Sequence, residues 1–260
     1  MPTPFLAPLW PDAPANIGAL STLRHGGVSL APYGDGKGGG GLNLGLHVGD
    51  EAERVRRNRY LLQGVLPLGR TAWLSQVHGN AVVDAAAVAD DAPRADASVA
   101  TARGAVCAVL SADCLPVLLC DVDGKVVAAA HAGWRGLAGG VLGATLGAMR
   151  ARGAGEILAW LGPAIGPQQF EVGADVLAAF RDGAAGPDAA HAVEAAFAPI
   201  PGRPGKYLAD IYALARGVLR RDGVLRVAGG DFCTVTETAR FYSYRRDGVT
   251  GRQASLIWRK

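Results

Sequence analysis

Residues 105–136, AVCAVLSADCLPVLLCDVDGKVVAAAHAGWRG, decide how this chain is read. Within them lie three short runs dominated by Val, Leu, Ala and Cys: 105–110, 116–120 and 125–130. Apolar runs of that length, bounded by polar or turn residues, suit strands buried on both faces. The first break, Ser111-Ala112-Asp113-Cys114, puts polar groups inside an otherwise apolar stretch. Such a break costs stability unless something uses it. Just beyond, 137–150 has the Ala- and Leu-rich spacing of a helix, and 156–161 returns to a strand pattern.

The same alternation continues outward. Strands are predicted at 17–23, 71–77, 81–84 and 254–258. Helices are predicted at 52–62, with Glu51 and Glu53 near its start, and at 174–180 and 210–221. Interleaved strands and helices predict an α/β (α+β) class with layered sheets. There is no repeat of fixed period and no Pro/Ser-rich linker, so one domain is expected over 17–260, preceded by an N-terminal extension, 1–16. The run Gly36-Lys37-Gly38-Gly39-Gly40-Gly41 is expected to be a flexible, poorly ordered loop.

Composition narrows the function classes. The chain has 260 residues, 50% of them hydrophobic and 19% charged, which is enough for a well-buried globular core. A net charge of +3 with scattered Lys and Arg is too mild to argue for nucleic acid or a membrane surface. The start MPTPFLAPLW lacks a basic segment followed by an apolar run, so no signal peptide is expected. Cys107, Cys114, Cys120 and Cys233 form no CxxC pair, which fits a reducing cytoplasm. No feature demands a partner subunit, and a monomer is compatible with this reading.

Three segments share one design, an apolar strand ending in a side chain that can bind metal. They are AWLSQVH ending at His78, the break at Cys114, and KVVAAAH ending at His131. Two imidazoles and a thiolate make a zinc ligand set, and three protein ligands leave a fourth position open, as catalysis requires. Alone, each histidine would more simply be a hydrogen-bonded residue of the core or surface. Cys107 and Cys120 sit mid-strand and read as small apolar residues. His131-Ala132-Gly133-Trp134-Arg135-Gly136 leads into a helix, where N–H groups and Arg135 could meet an anion; a tight turn with a solvated Arg is the bland alternative. Arg24-His25-Gly26-Gly27 is a second basic turn, and residues 42–50, LNLGLHVGD, form a polar patch.

Taken together, QVHGN (76–80), SADCLPV (111–117), HAGWRG (131–136), GLNLGLHVGD (41–50), GPAIGPQQFEV (162–172) and Phe241-Tyr242-Ser243-Tyr244-Arg245 resemble the laccase-domain family. Its members are also called multicopper polyphenol oxidoreductases or peptidoglycan editing factors. The likeness runs from about residue 23 to 258. It implies a single domain of the type shared with deamidating toxin cysteine hydrolases, and zinc on His78, Cys114 and His131. It also implies phosphorolysis of adenosine, inosine and methylthioadenosine, with an adenosine deaminase side activity. In that reaction Arg24 and Arg135 are expected to bind phosphate, and Asn43 and Gln76 to hold ribose or base. Asp113, beside Cys114, is the candidate acid, and Asp113 or Glu171 would shuttle protons in deamination. The catalytic set is thus Cys114, Asp113 and Arg135. The glycine-rich insertion at 36–41 departs from the family pattern beside Asn43.

Three rivals use the same residues. Copper can take a His2Cys set, but an axial Met has only Met1 and Met149 to draw on. A full multicopper cluster needs roughly ten His, by copper's preference for imidazole, and the chain has five. A cysteine hydrolase would use Cys114 as nucleophile with His131 or His78 as base, against a cell-wall precursor peptide. A non-catalytic nucleoside-binding module is the third.

Overall fold

In the computed structural model, which describes residues 3–89, 91–184 and 186–260, the chain opens with β1 (Phe5–Leu6), β2 (Ile17–Thr22), β3 (His25–Ser29) and α1 (Ala52–Gln63). There follow β4 (Arg70–Ala72), β5 (Val82–Asp84), β6 (Ala97–Ala100), β7 (Ala105–Ser111), β8 (Leu115–Asp121) and β9 (Val127–Ala132). Next come α2 (Trp134–Ala138), α3 (Val141–Arg150), β10 (Ile157–Leu161), β11 (Glu171–Gly173), α4 (Ala174–Asp182) and α5 (Pro187–Ala195). The remainder is β12 (Phe197–Pro199), β13 (Lys206–Ala209), α6 (Ile211–Arg221), β14 (Arg226–Gly229), α7 (Tyr244–Asp247) and β15 (Gln253–Arg259).

These strands form a five-stranded sheet, ordered β1-β2-β15-β7-β4, and a six-stranded sheet, ordered β14-β10-β8-β9-β6-β5. A small third sheet is ordered β11-β13-β12. The period-2 alternation of a strand sends successive side chains to opposite faces. On β7, Cys107 and Val109 join Leu118, Cys120, Val127, Ala129, Trp160 and Ile257 in a core between the two large sheets. The alternate residues Val106, Ala108 and Leu110 pack with Leu42, Leu44 and Leu62 on the α1 side. On β8, Val117 and Leu119 face Leu142, Leu146, Leu214 and Leu219 of α3 and α6. The class is therefore mixed α/β, in helix, sheet, sheet and helix layers. Trp160 is 1% exposed between the sheets, and its replacement by Ala would cost about 3–5 kcal/mol.

This layering positions the site. β7 lies in one large sheet and β8 in the other, so residues 112–114 cross from sheet to sheet at one end of the sandwich. Leu115 pairs with Ala132 across the β8–β9 ladder, which puts Cys114 opposite Gly133. His131 shares the face of β9 that carries Val127 and Ala129 into the inter-sheet core.

Several expectations change. The strand predicted at 71–77 stops at Ala72, and the helix predicted at 137–150 is two helices. Gly140 breaks it with φ 86°, a left-handed backbone that a helix interior does not adopt. The extension 1–16 is integrated in its described part: Phe5 and Leu6 pair with Thr22 and Ser21, while Met1 and Pro2 lie outside the described residues. The glycine run is not loose. Asp35 Oδ1 accepts N–H bonds from Lys37 (2.7 Å) and Gly39 (2.8 Å), and Gly41 bridges to both His25 and Ser29. A Cβ on Gly41 would collide with the Tyr33 carbonyl oxygen, so glycine serves close approach there. No helix among the described residues is long and apolar enough to cross a membrane.

Candidate metal centre

The donor atoms of His78, Cys114 and His131 lie within 4.8 Å of one another, the one such group among the described residues. Cys114 Sγ is 3.8 Å from His78 Nε2, and the two imidazole rings meet edge to face with centroids 4.9 Å apart. A tetrahedral zinc with bonds of about 2.0–2.3 Å needs its donors roughly 3.3–3.6 Å apart, so the Cys114–His78 pair at 3.8 Å is close to the required spacing and the widest pair, within 4.8 Å, would have to draw in to hold the ion. Gly133 keeps the centre open. A Cβ there would sit 2.9 Å from Cys114 Sγ and 3.2 Å from His78 Cδ2.

A residue that sequence reasoning missed organises this group. Asp96 is fully buried. Its Oδ1 accepts from His131 Nδ1 at 2.8 Å and from the His78 N–H at 2.9 Å. Its Oδ2 accepts from the N–H groups of Val77 (3.1 Å) and Gly79 (2.7 Å). One carboxylate thus turns His131 so that Nε2 faces the centre, and holds the 77–79 loop in which His78 has φ 59°. The available signal was an Asp just before the stretch Ala97-Ser98-Val99-Ala100, which is too short and too small in its side chains to stand out as an apolar strand.

The electrostatics follow from these contacts. Burial opposes ionisation of Cys114, but His131 and His78 outweigh it and hold the thiol down at about 6. Burial likewise opposes protonation of His131, yet Cys114 and Asp96 raise it to about 9. Burial works against the Asp96 carboxylate too, and His131 with the Gly79 and Val77 N–H groups keeps it below the ordinary range. By contrast burial pushes Cys107 and Cys120 up to about 12, as expected of core thiols.

The other sequence-chosen residues do not converge as foreseen. Arg24 is 7% exposed. It donates Nε and Nη2 to the Gly34 carbonyl (3.4 and 3.0 Å) and Nη1 to the Thr238 carbonyl (3.0 Å), and so serves the fold. Gln76 exchanges two bonds with the Leu110 backbone, which replaces the missing strand ladder. Asn43 is buried; it donates to Asp50 and accepts from the N–H groups of Gly45 and Arg252. Asp113, at φ 89°, accepts from Thr234 Oγ1 (2.5 Å) and the Arg245 N–H (2.6 Å). Both of its oxygens brace the Cys114 turn, which argues against a free acid. Glu171 pairs with Arg203 at 2.6 Å. Arg135 is exposed on α2 with its guanidinium over the Trp134 ring, and α2 has only five residues.

Residues 18–260 match the family model described as multi-copper polyphenol oxidoreductase laccase. A Pseudomonas aeruginosa protein named purine nucleoside phosphorylase is 51% identical over 98% of both chains. Escherichia coli purine nucleoside phosphorylase YfiH is 49% identical over 98% of both. A crystal structure of a Neisseria meningitidis protein superposes with a TM-score of 0.89 at 50% identity, covering 99% of this chain and all of that one. With sequence motifs, fold and the His-Cys-His group in agreement over nearly its whole length, the chain belongs to the multi-copper polyphenol oxidoreductase laccase family.

Proposed function

We propose that this chain is a zinc-dependent purine nucleoside phosphorylase that cleaves adenosine, inosine and methylthioadenosine, with adenosine deamination as a side activity. The observation that carries the reading is the convergence of His78, Cys114 and His131 on one open point, backed by Asp96. The phosphorylase names of its relatives support the reaction type. Zinc fits the mixed imidazole and thiolate donors better than a hard oxygen-seeking ion does. Bound there, it would supply Lewis acidity toward substrate or water.

The chain's own residues set the stage for that chemistry. Asp96 fixes the His131 tautomer, Gly133 leaves room for substrate, and Asp113 with Thr234 and Arg245 holds the Cys114 turn. Phosphorolysis forms a bond from a phosphate oxygen to C1′ as the C1′–N9 bond breaks. The bonding pair leaves on the purine, and the proton of hydrogenphosphate ends on the base.

The test is product analysis with protein of known metal content. Inosine and adenosine are incubated with and without phosphate, beside His131→Ala. Phosphate-dependent release of hypoxanthine and adenine, lost in the variant, is expected. A zinc-loaded protein that releases no base overturns the reading.

One observation favours a second reading. Cys114 Sγ lies 3.8 Å from His78 Nε2 with the His131 imidazole beside it, and the two histidines favour its thiolate, an arrangement a cysteine hydrolase also uses. Amide hydrolysis that survives removal of the metal would establish it.

A further inference from the structure

If the chain is a phosphorylase it needs a place for a phosphate dianion, and Arg24, whose donors are held by the Gly34 and Thr238 carbonyls, does not provide one. Arg252 is better placed. β15 pairs with β7 so that Gln253 faces Ser111, which brings Arg252 to the end of the sandwich where the chain turns through Cys114. Its N–H donates to Asn43 Oδ1 (2.9 Å) and its carbonyl accepts from the Leu44 N–H (3.1 Å). Its side chain then crosses Gly45, where a Cβ would lie 2.9 Å from Arg252 Cγ. Two residues further, His47 lines a cavity of about 700 Å3 that Arg59, Arg70 and Gln76 also border.

Arg252 does not itself line that cavity, but it stands between Cys114 on one side and His47 on the other. Arg252 spends Nη1 on the Thr250 and Gly251 carbonyls, while its Nε and Nη2 have no acceptor among the described residues. Arg59 lies flat over Trp73, 4.1 Å from the ring centroid, with Nε and Nη2 on the Leu44 carbonyl. Among the described residues, no carboxylate lines the cavity. The acidic groups acting on Arg252 are Cys114 and Asp113, then the phenols of Tyr244 and Tyr33. The first belongs to the metal set, and the second is committed to Thr234 and Arg245. Burial first, then the charges of Arg252 and Arg59, keeps the His47 imidazole below its usual pKa. Cations held close together repel one another, and an anion relieves that repulsion.

We infer that His47 and Arg252 form the oxyanion subsite that receives phosphate, with Arg59 as fixed positive charge behind them. The inference rests on the phosphorolysis reading. An oxyanion could also arrive as the 5′-phosphate of a nucleotide; the stoichiometry of phosphorolysis favours the free ion.

The experiment compares wild type with Arg252→Ala, Arg252→Lys and His47→Gln, each checked for metal content and melting temperature. Phosphate KM is measured on inosine, and the 31P line width of inorganic phosphate is recorded with each protein. Arg252→Ala should raise phosphate KM at least tenfold, leave inosine KM within about twofold, and abolish the line broadening that wild type causes. Arg252→Lys should recover part of both effects. An unchanged phosphate KM and line width in Arg252→Ala and His47→Gln, with phosphate-dependent release intact in wild type, overturns the subsite alone. Absence of phosphate-dependent release in wild type overturns the phosphorylase reading instead. Faster cleavage of inosine 5′-monophosphate than of inosine, with the preference lost in Arg252→Ala, would assign the subsite to the nucleotide and overturn its assignment to free phosphate.

Discussion

The Asp96 carboxylate joins the two histidines of the centre, accepting from His131 Nδ1 at 2.8 Å and from the His78 backbone N–H at 2.9 Å through the same oxygen. Asp96→Asn should lose stability, because its amide nitrogen leaves two of the four N–H donors unpaired at about 1–3 kcal/mol each, and should weaken metal binding about 10–100-fold, the usual cost of losing such a partner. Chelator competition reads this directly. Wild-type affinity in the variant would show that Asp96 does not orient the ligands. Asp96→Ala should also unfold more easily, since each buried N–H left unpaired costs about 1–3 kcal/mol.

Gly133 controls access to the centre. In Gly133→Ala the new Cβ would press on Cys114 Sγ at 2.9 Å. Overpacking of this kind costs about 1–3 kcal/mol. Metal content by elemental analysis should fall well below one per chain while circular dichroism stays native. A fully loaded, active Gly133→Ala protein would refute the tight fit.

Thiol reactivity should separate the cysteines by pH. Cys114 is held at about 6, so its thiolate persists above that pH and is lost as pH falls through it. In metal-stripped protein, alkylation of Cys114 should reach half its maximal rate near pH 6. Cys107 and Cys120, pushed to about 12 and buried, should stay unmodified while the protein is folded. Peptide mapping by mass spectrometry scores all three.

Arg24 should behave as a structural residue. Its guanidinium serves the Gly34 and Thr238 carbonyls and lies 5.1 Å from the Tyr242 ring centroid. Hydrogen bonds from a charged group contribute about 1.5–3 kcal/mol, so Arg24→Ala should lose stability of that order in urea titration. Phosphate KM should not move; a selective rise would return Arg24 to the phosphate site.

Much of the fold was legible because period and length are local properties. Strands β7, β8, β10 and β15 announce themselves as apolar runs, and α6 as a helical stripe. Strand β6 and the small sheet β11-β13-β12 did not, being only three or four residues long. Helix α5 has no buried residues and so carries no apolar stripe to read. The break at Gly139-Gly140 was visible as residues, but a left-handed Gly140 depends on how α3 docks.

The candidate site divides in the same way. His78, Cys114 and His131 could be chosen from sequence because each follows or closes a largely apolar run, although only His131 lies in a strand; His78 is in a loop and Cys114 in the turn between β7 and β8. Asp96 could not be, since its role arises only when the 77–79 loop wraps its carboxylate. Arg24 looked suited to an anion, because sequence shows a charge and not that its donors are already held by the Gly34 and Thr238 carbonyls.

By itself, then, the sequence determined the layered α/β class, the family and the three metal-competent side chains, all encoded by residue type and short spacing. Only the tertiary structure decided that β7 and β8 lie in different sheets, that Asp96 stands behind both histidines, and that Arg252 rather than Arg24 has donors to spare beside Cys114. Those are contacts between residues 18 to more than 100 positions apart, and burial, competing acceptors and backbone geometry choose among them only once the chain has packed.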